Sequence, residues 1–206
     1  QVCECPYSPP HAPGGGAVGD GQVLVERHRD ERVVIALGAN LGGVQATLEA
    51  AVRALADVDG LRISGVSDLF ETDPVGGPDQ PVYLNAVVLA RTRLAAFALL
   101  TELHAIEADH GSARETRWGA RTLDLDLNQY GDPHSDSELI SQDPELMLPH
   151  PRAHERAFVL APWWARDAEA QLQVGDALVP VSELLERADG ANPGGVRPGP
   201  EWSPSW

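Results

Sequence analysis

The chain has 206 residues, with 31 acidic against 15 basic side chains and a formal net charge of −16. That length suffices for one domain burying roughly two-thirds of its unfolded surface, so its two cysteines, Cys3 and Cys5, are not needed as a staple. The acidity argues against general affinity for nucleic acid or anionic membranes, and the absence of a signal-like start or an apolar run of about 20 residues leads to a soluble, cytoplasmic expectation.

Residues 1–30 are polar and rich in Gly and Pro, which predicts a disordered or peripheral N-terminal tail. Its run QVLVE is compatible with a short edge strand or a linker. Order is expected from VVIALGANLG. Val33–Leu37 reads as a central strand ended by Gly38. Asn40 is expected to open a helix, because Leu41, Val44, Leu48, Val52 and Leu55 recur at helical spacing, and Gly60 closes it. LRISGVSDLFET alternates as a strand, with a glycine that marks a bulge. DPVGGPDQPVY is a loop by composition, and YLNAVVLARTR is the next strand. A helix over Leu94–Asp109, a charged loop SARETRWGAR and the strand LDLDLNQYG follow. The order strand, helix, strand, strand, helix, strand predicts an α+β ferredoxin-like sandwich, an antiparallel sheet covered by helices, with a C-terminal extension. Residues 31–188 are assigned to this domain, with a short helix near Val181–Arg187. The Gly/Pro-rich residues 189–206, with Trp202 and Trp206, are assigned to a C-terminal tail.

The informative chemistry lies in RWGARTLDLDLNQYG, Arg117 to Gly131. Side chains alternate along a strand, so Leu123, Leu125 and Leu127 face the helices while Asp124 and Asp126 share the other face. Two carboxylates about 6.5–7 Å apart along a strand can converge on one Mg²⁺ or on two neighbouring ions; a solvated acidic face is the plainer alternative. Arg114, Arg117 and Arg121 stand just ahead of them. Oxygen-bound metal beside guanidinium groups suits phosphoryl or pyrophosphoryl transfer. No G-x-x-x-x-G-K-[ST] segment occurs, and the chain contains no lysine, so any ATP is bound by another route.

In DPVGGPDQPVYLN, Tyr83 and Asn85 share a strand face and suit a flat heteroaromatic with hydrogen-bonding edges; a loop entering a strand explains them equally well. His104 and Glu107 lie one helical turn apart. In LPHPRAHERAF, His150 and His154 are flanked by Arg152 and Arg156, and prolines on both sides of His150 argue against a helical zinc pair.

Taken together, GANLG, FETDPVGGPDQPVYLNAVV, IEADHG, RWGARTLDLDL and LPHPRAHERAFVLAP resemble the 6-hydroxymethyl-7,8-dihydropterin pyrophosphokinase family of folate biosynthesis. The resemblance runs from about Val33 to Trp163. It implies an ATP-dependent diphosphotransferase that passes the terminal pyrophosphate of ATP to the pterin hydroxymethyl group, leaving AMP. It implies two Mg²⁺ ions held by Asp124 and Asp126, and a pterin pocket of Thr72, Pro74, Val75, Tyr83, Asn85, Trp118 and Phe158. His104, Glu107, Arg117, Trp118, Arg121, His150 and Arg156 would bind ATP, with Arg114 and Arg121 acting catalytically on the phosphates alongside the aspartates. The expected partners are these two small molecules, without nucleic acid or membrane, and the expected state is a monomer.

The sequence departs from the family pattern at several positions. Ala39 replaces a usual serine, Gly43 a frequent aspartate, and Ala120 the proline before the second arginine of the motif. Ser112 stands where a mobile-loop arginine is usual, and His104 where glutamine is frequent. Asn128 and Gln129 occupy positions that are usually apolar. Two rival readings follow: a catalytically weak or inactive pterin- or nucleotide-binding relative, and a ferredoxin-like interaction module with an acidic face.

Overall fold

The computed structural model describes residues 30–73, 81–110 and 123–206. The first strand, β1 (Glu31–Ala39), carries an unbroken apolar run from Val33 to Leu37 because it lies at the centre of a sheet covered on both faces. The strand does not end at Gly38 but continues to Ala39. Asn40 does not cap the following helix either. Its buried side chain donates to the carbonyl of Pro81, Gly42 takes a positive φ of 72°, and α1 (Val44–Ala56) starts only after that turn. Leu48, Ala51, Val52 and Leu55 then bury one stripe of α1.

Strands β2 (Leu61–Val66) and β3 (Phe70–Thr72) both pair antiparallel with β4 (Tyr83–Thr92) and form one interrupted edge. The register of β2 slips between Ile63 and Gly65, the bulge expected from the glycine. Ser67 carries the chain across the break. Its N–H donates to the Val87 carbonyl at 2.9 Å and its Oγ accepts from the Val87 N–H at 2.9 Å. Helix α2 (Ala96–Asp109) begins two residues later than its periodicity predicts, and β5 (Asp124–Tyr130) lies on the far side of β1. The Tyr130 hydroxyl ties the end of β5 to the Leu94 carbonyl at 2.8 Å.

The strand order β2/β3–β4–β1–β5, antiparallel throughout, with α1 and α2 on one face, is the ferredoxin-like arrangement. Leu123, Leu125 and Leu127 point into the core beneath these helices, with Ile35, Leu37, Leu48, Leu99 and Leu103.

The opposite face is also covered, which the alternation alone does not predict. After the hairpin β6 (Ser141–Asp143) and β7 (Leu146–Leu148), the chain makes a short 3₁₀ turn and then α3 (Ala157–Arg166). Pro162 within AFVLAPWWAR masks this helix in the sequence, since proline removes one backbone donor. Strands β8 (Gln171–Val174) and β9 (Ala177–Pro180) lead to α4 (Val181–Ala191). Val159, Leu160, Trp163, Leu172, Val181 and Leu184 close a second core against Val34, Ala36 and Val87.

The segment read as a C-terminal tail adds a strand. In β10 (Val196–Pro198), Val196 pairs with Thr72 and Pro198 with Phe70. Gly199 passes so close to Leu69 that a Cβ there would lie 2.9 Å from its carbonyl oxygen. Trp202 donates from Nε1 to the Ser67 carbonyl at 2.9 Å and packs on the first core, whereas Trp206 stays exposed. The unpaired backbone of the β3 edge is satisfied this way. Among the described residues no helix is long and apolar enough to cross a membrane.

Candidate active site

Register places the polar residues at one end of the sheet. Gly38 of β1 stands opposite Asn85 of β4 on one side and Asp124 of β5 on the other. Directly cross-strand residues project to the same face, so Asn85 and Asp124 flank a position that has no side chain. Two residues along, Val87, Ala36 and Asp126 form the next row. α3 and its neighbours cover the apolar part of this face, and the rows carrying Asn85, Asp124 and Asp126 lie at its margin.

Asn85 is buried and its orientation is set. Its Nδ2 donates to Thr72 Oγ1 at 2.9 Å, and Thr72 is itself buried opposite Tyr83. A Cβ on Gly38 would stand 3.1 Å from Asn85 Oδ1, so the missing side chain keeps that amide oxygen uncrowded. Gly38 is a site residue that the motif reading used only as the end of a strand. The GAN run marks it, but only the three-strand register gives it this place.

On β5 the expected alternation holds. Asp124 and Asp126 are half-buried on the face opposite the leucines. Arg156, the residue that opens α3, donates from Nη1 to Asp126 Oδ2 at 2.8 Å. The same guanidinium lies 5.6 Å from the centroid of the Phe158 ring. Phe158 is half-buried against the second core, so it both packs and supports Arg156.

His150 joins this cluster from the loop before α3, its backbone N–H donating to the Asn128 carbonyl at 3.0 Å. Burial pushes its imidazole below the ordinary histidine pKa; the carboxylate of Asp126 opposes the shift, and Arg156 and Arg152 add to it. Its Nδ1 accepts from the Arg152 N–H at 3.2 Å, so the neutral ring carries its proton on Nε2. Asn128 itself is not solvated. The β1–β5 register shifts beside it; its Nδ2 donates to the Asp126 carbonyl, and its Oδ1 is buried with no hydrogen-bond partner among the described residues.

Glu107 acts from the other side of the sheet. Its Oε1 accepts from the Leu125 N–H at 2.7 Å, securing the outer edge of β5 between the two aspartates. His104, one turn earlier on α2, is exposed. Pro74 and Val75 of the first loop, and Arg114, Arg117, Trp118 and Arg121 of the second, lie outside the described residues, as do Ser112 and Ala120.

The donor set suits a hard divalent cation. Two carboxylates on one strand face supply oxygen ligands, and Mg²⁺ commonly takes one or two carboxylates and completes its shell with water and substrate phosphates. Among the described residues no cluster of three or more His, Cys, Asp or Glu side chains occurs.

A family model described as 7,8-dihydro-6-hydroxymethylpterin-pyrophosphokinase (HPPK) matches residues 34–167. The chain is 40% identical over 171 residues to the 2-amino-4-hydroxy-6-hydroxymethyldihydropteridine pyrophosphokinase of Mycobacterium leprae, covering 81% of this chain and 87% of that relative. The Bacillus subtilis protein of the same name is 42% identical over 128 residues, 62% of this chain and 73% of its own length. The crystal structure of wild-type Plasmodium falciparum HPPK-DHPS superposes with a TM-score of 0.59 at 13% identity, over 84% of this chain and 49% of that one, and supports the fold alone. The family match includes both aspartates, the Tyr83–Asn85 pair, His150 and Arg156, and the chain belongs to the 7,8-dihydro-6-hydroxymethylpterin-pyrophosphokinase family.

Proposed function

We propose that this chain transfers pyrophosphate from ATP to the hydroxymethyl group of 6-hydroxymethyl-7,8-dihydropterin, giving the pterin diphosphate and AMP. The observation that carries the reading, beside family membership, is the row Asn85–Gly38–Asp124. It sets a buried, oriented amide and a carboxylate on either side of an open backbone position, as a reaction between a heteroaromatic alcohol and a polyphosphate requires.

Asn85 is assigned to the pterin. With Nδ2 committed to Thr72, its Oδ1 is the group left to accept from the amino-pyrimidine edge. Tyr83, Thr72, Phe158, Pro74, Val75 and Trp118 are assigned to the same pocket. Asp124 and Asp126 would hold two Mg²⁺, which would supply positive charge against the triphosphate and the leaving group. His150, neutral with Nε2–H as donor, is assigned to a phosphate oxygen, and burial keeps it in that form near neutral pH. Arg114, Arg117, Arg121 and Arg156 are assigned to the triphosphate, with Trp118, His104 and Glu107 on the nucleotide side.

The pterin hydroxyl attacks the β-phosphorus directly as the bond to the α-phosphate oxygen breaks, AMP leaving and the hydroxyl proton passing to solvent, so no side-chain nucleophile is required. Positioning and preorganised charge supply the acceleration. A single copy in the cytoplasm, with these two small molecules as its partners, is the proposed working unit. The test is AMP release from ATP with hydroxymethyl-dihydropterin and Mg²⁺, with a control lacking the pterin. Pterin-dependent AMP supports the reading; binding of both ligands without AMP would instead make the chain a non-catalytic relative.

A further inference from the structure

We infer that Arg156 is a resident counter-ion that holds the metal site against free divalent cation until the nucleotide arrives. The inference rests on the assignment of Asp124 and Asp126 to Mg²⁺.

Asp126 is one of the two carboxylates that would take the metal, yet its Oδ2 already receives Arg156 Nη1 at 2.8 Å. The two side chains retain 22% and 31% of their exposure. That is too little for water alone to solvate both charges and too much for the pair to be locked, since a partly exposed ion pair is modest in energy and readily exchanged. A bare cation approaching Asp124 and Asp126 must displace or face a guanidinium of its own sign. A cation arriving with a triphosphate does not, because the phosphate oxygens offer Arg156 a stronger and bidentate acceptor.

The surroundings suit such an exchange. The backbone of Arg156 is pinned: its N–H donates to the Ala153 carbonyl, and its carbonyl accepts from Val159 and Leu160 at the start of α3. Val159, Leu160 and Trp163 anchor that helix in the second core. The flexible side chain is thus the moving part, and the Phe158 ring 5.6 Å away supports the guanidinium independently of Asp126. Arg156 passing from carboxylate to phosphate frees Asp126 as the nucleotide binds. By linkage, nucleotide and metal then favour each other's binding through this one side chain.

The test uses the full chain with Mn²⁺ as the paramagnetic probe, its free fraction read by EPR, without nucleotide and then with α,β-methylene ATP. Without nucleotide, Arg156→Met is expected to bind Mn²⁺ about fivefold more tightly than wild type. The enhancement of Mn²⁺ affinity by the nucleotide should fall by a similar factor. Arg156→Lys, which keeps the charge, should stay close to wild type. Equal or weaker Mn²⁺ binding by Arg156→Met, while Asp124→Asn and Asp126→Asn lose the site, overturns the guard and leaves the metal assignment standing. Unchanged Mn²⁺ binding in both aspartate variants overturns the metal assignment and the guard with it. If Arg156→Met does not fold, the wild-type protein decides: the Arg156 Nε–H resonance should shift when Mg²⁺ and α,β-methylene ATP are added together, and an unmoved resonance overturns the exchange.

Discussion

The seven residues of β5 are divided between two faces that serve opposite purposes. On one, Leu125 and Leu127 are buried among α1 and α2 in an apolar core. On the other, Asp124 and Asp126 line a half-open margin where α3 stops short, and Asp126 pairs with the Arg156 guanidinium. Strand alternation separates stability from chemistry by a single residue step. The helix-covered face can be close-packed without blocking the site, and the site can hold unfavourable like charges because the other face holds the strand in place.

The largest effect should come from the polar face. Asp124→Asn and Asp126→Asn each remove a proposed metal ligand, and AMP formation should fall at least about 10³-fold, while the melting temperature stays within a few degrees of wild type. Loss of folding in both would erase the separation. Leu125→Ala tests the other face. The residue is 3% exposed, so truncation should cost about 2–5 kcal/mol in urea unfolding, with kcat of the remaining folded enzyme little changed.

A smaller effect sharpens where the polar face ends. Gly38→Ala places a Cβ 3.1 Å from Asn85 Oδ1, so the amide must give way by a few tenths of an ångström. The KM for the pterin should rise about fivefold and the KM for ATP should hold. A rise confined to ATP would move Asn85 out of the pterin pocket.

The smallest is a pH dependence at His150. Burial lowers its pKa in the folded chain, so below about 6.5 the unfolded chain binds more protons at this residue than the folded one. The contribution is therefore complete above about pH 6.5 and is lost as pH falls through the folded value. Thermal melts from pH 7.5 to 5 should show a shallower decline for His150→Gln than for wild type; parallel curves would place the ring in a solvated setting.

Much of this was legible from local pattern. The period-two leucines announced β5 and its facing, and apolar periodicity located α1 and α2 to within a few residues. The ordered motifs named the family that the match over residues 34–167 bears out. Less legible were features whose signals conflict or are short. Pro162 concealed α3, Gly and Pro made a three-residue strand look like a tail, and Asn40 looked like a helix cap because such residues usually are.

By itself the sequence determined which residues alternate, which coil, and which chemistry they can perform, because these follow from neighbours within a few positions. The tertiary structure alone decided that Arg156 pairs with Asp126 across thirty positions, that Gly38 separates Asn85 from Asp124, and that Glu107 secures the strand edge from behind. Those contacts depend on strand register and on which helix covers which face, and register is set by the packing of the whole sheet.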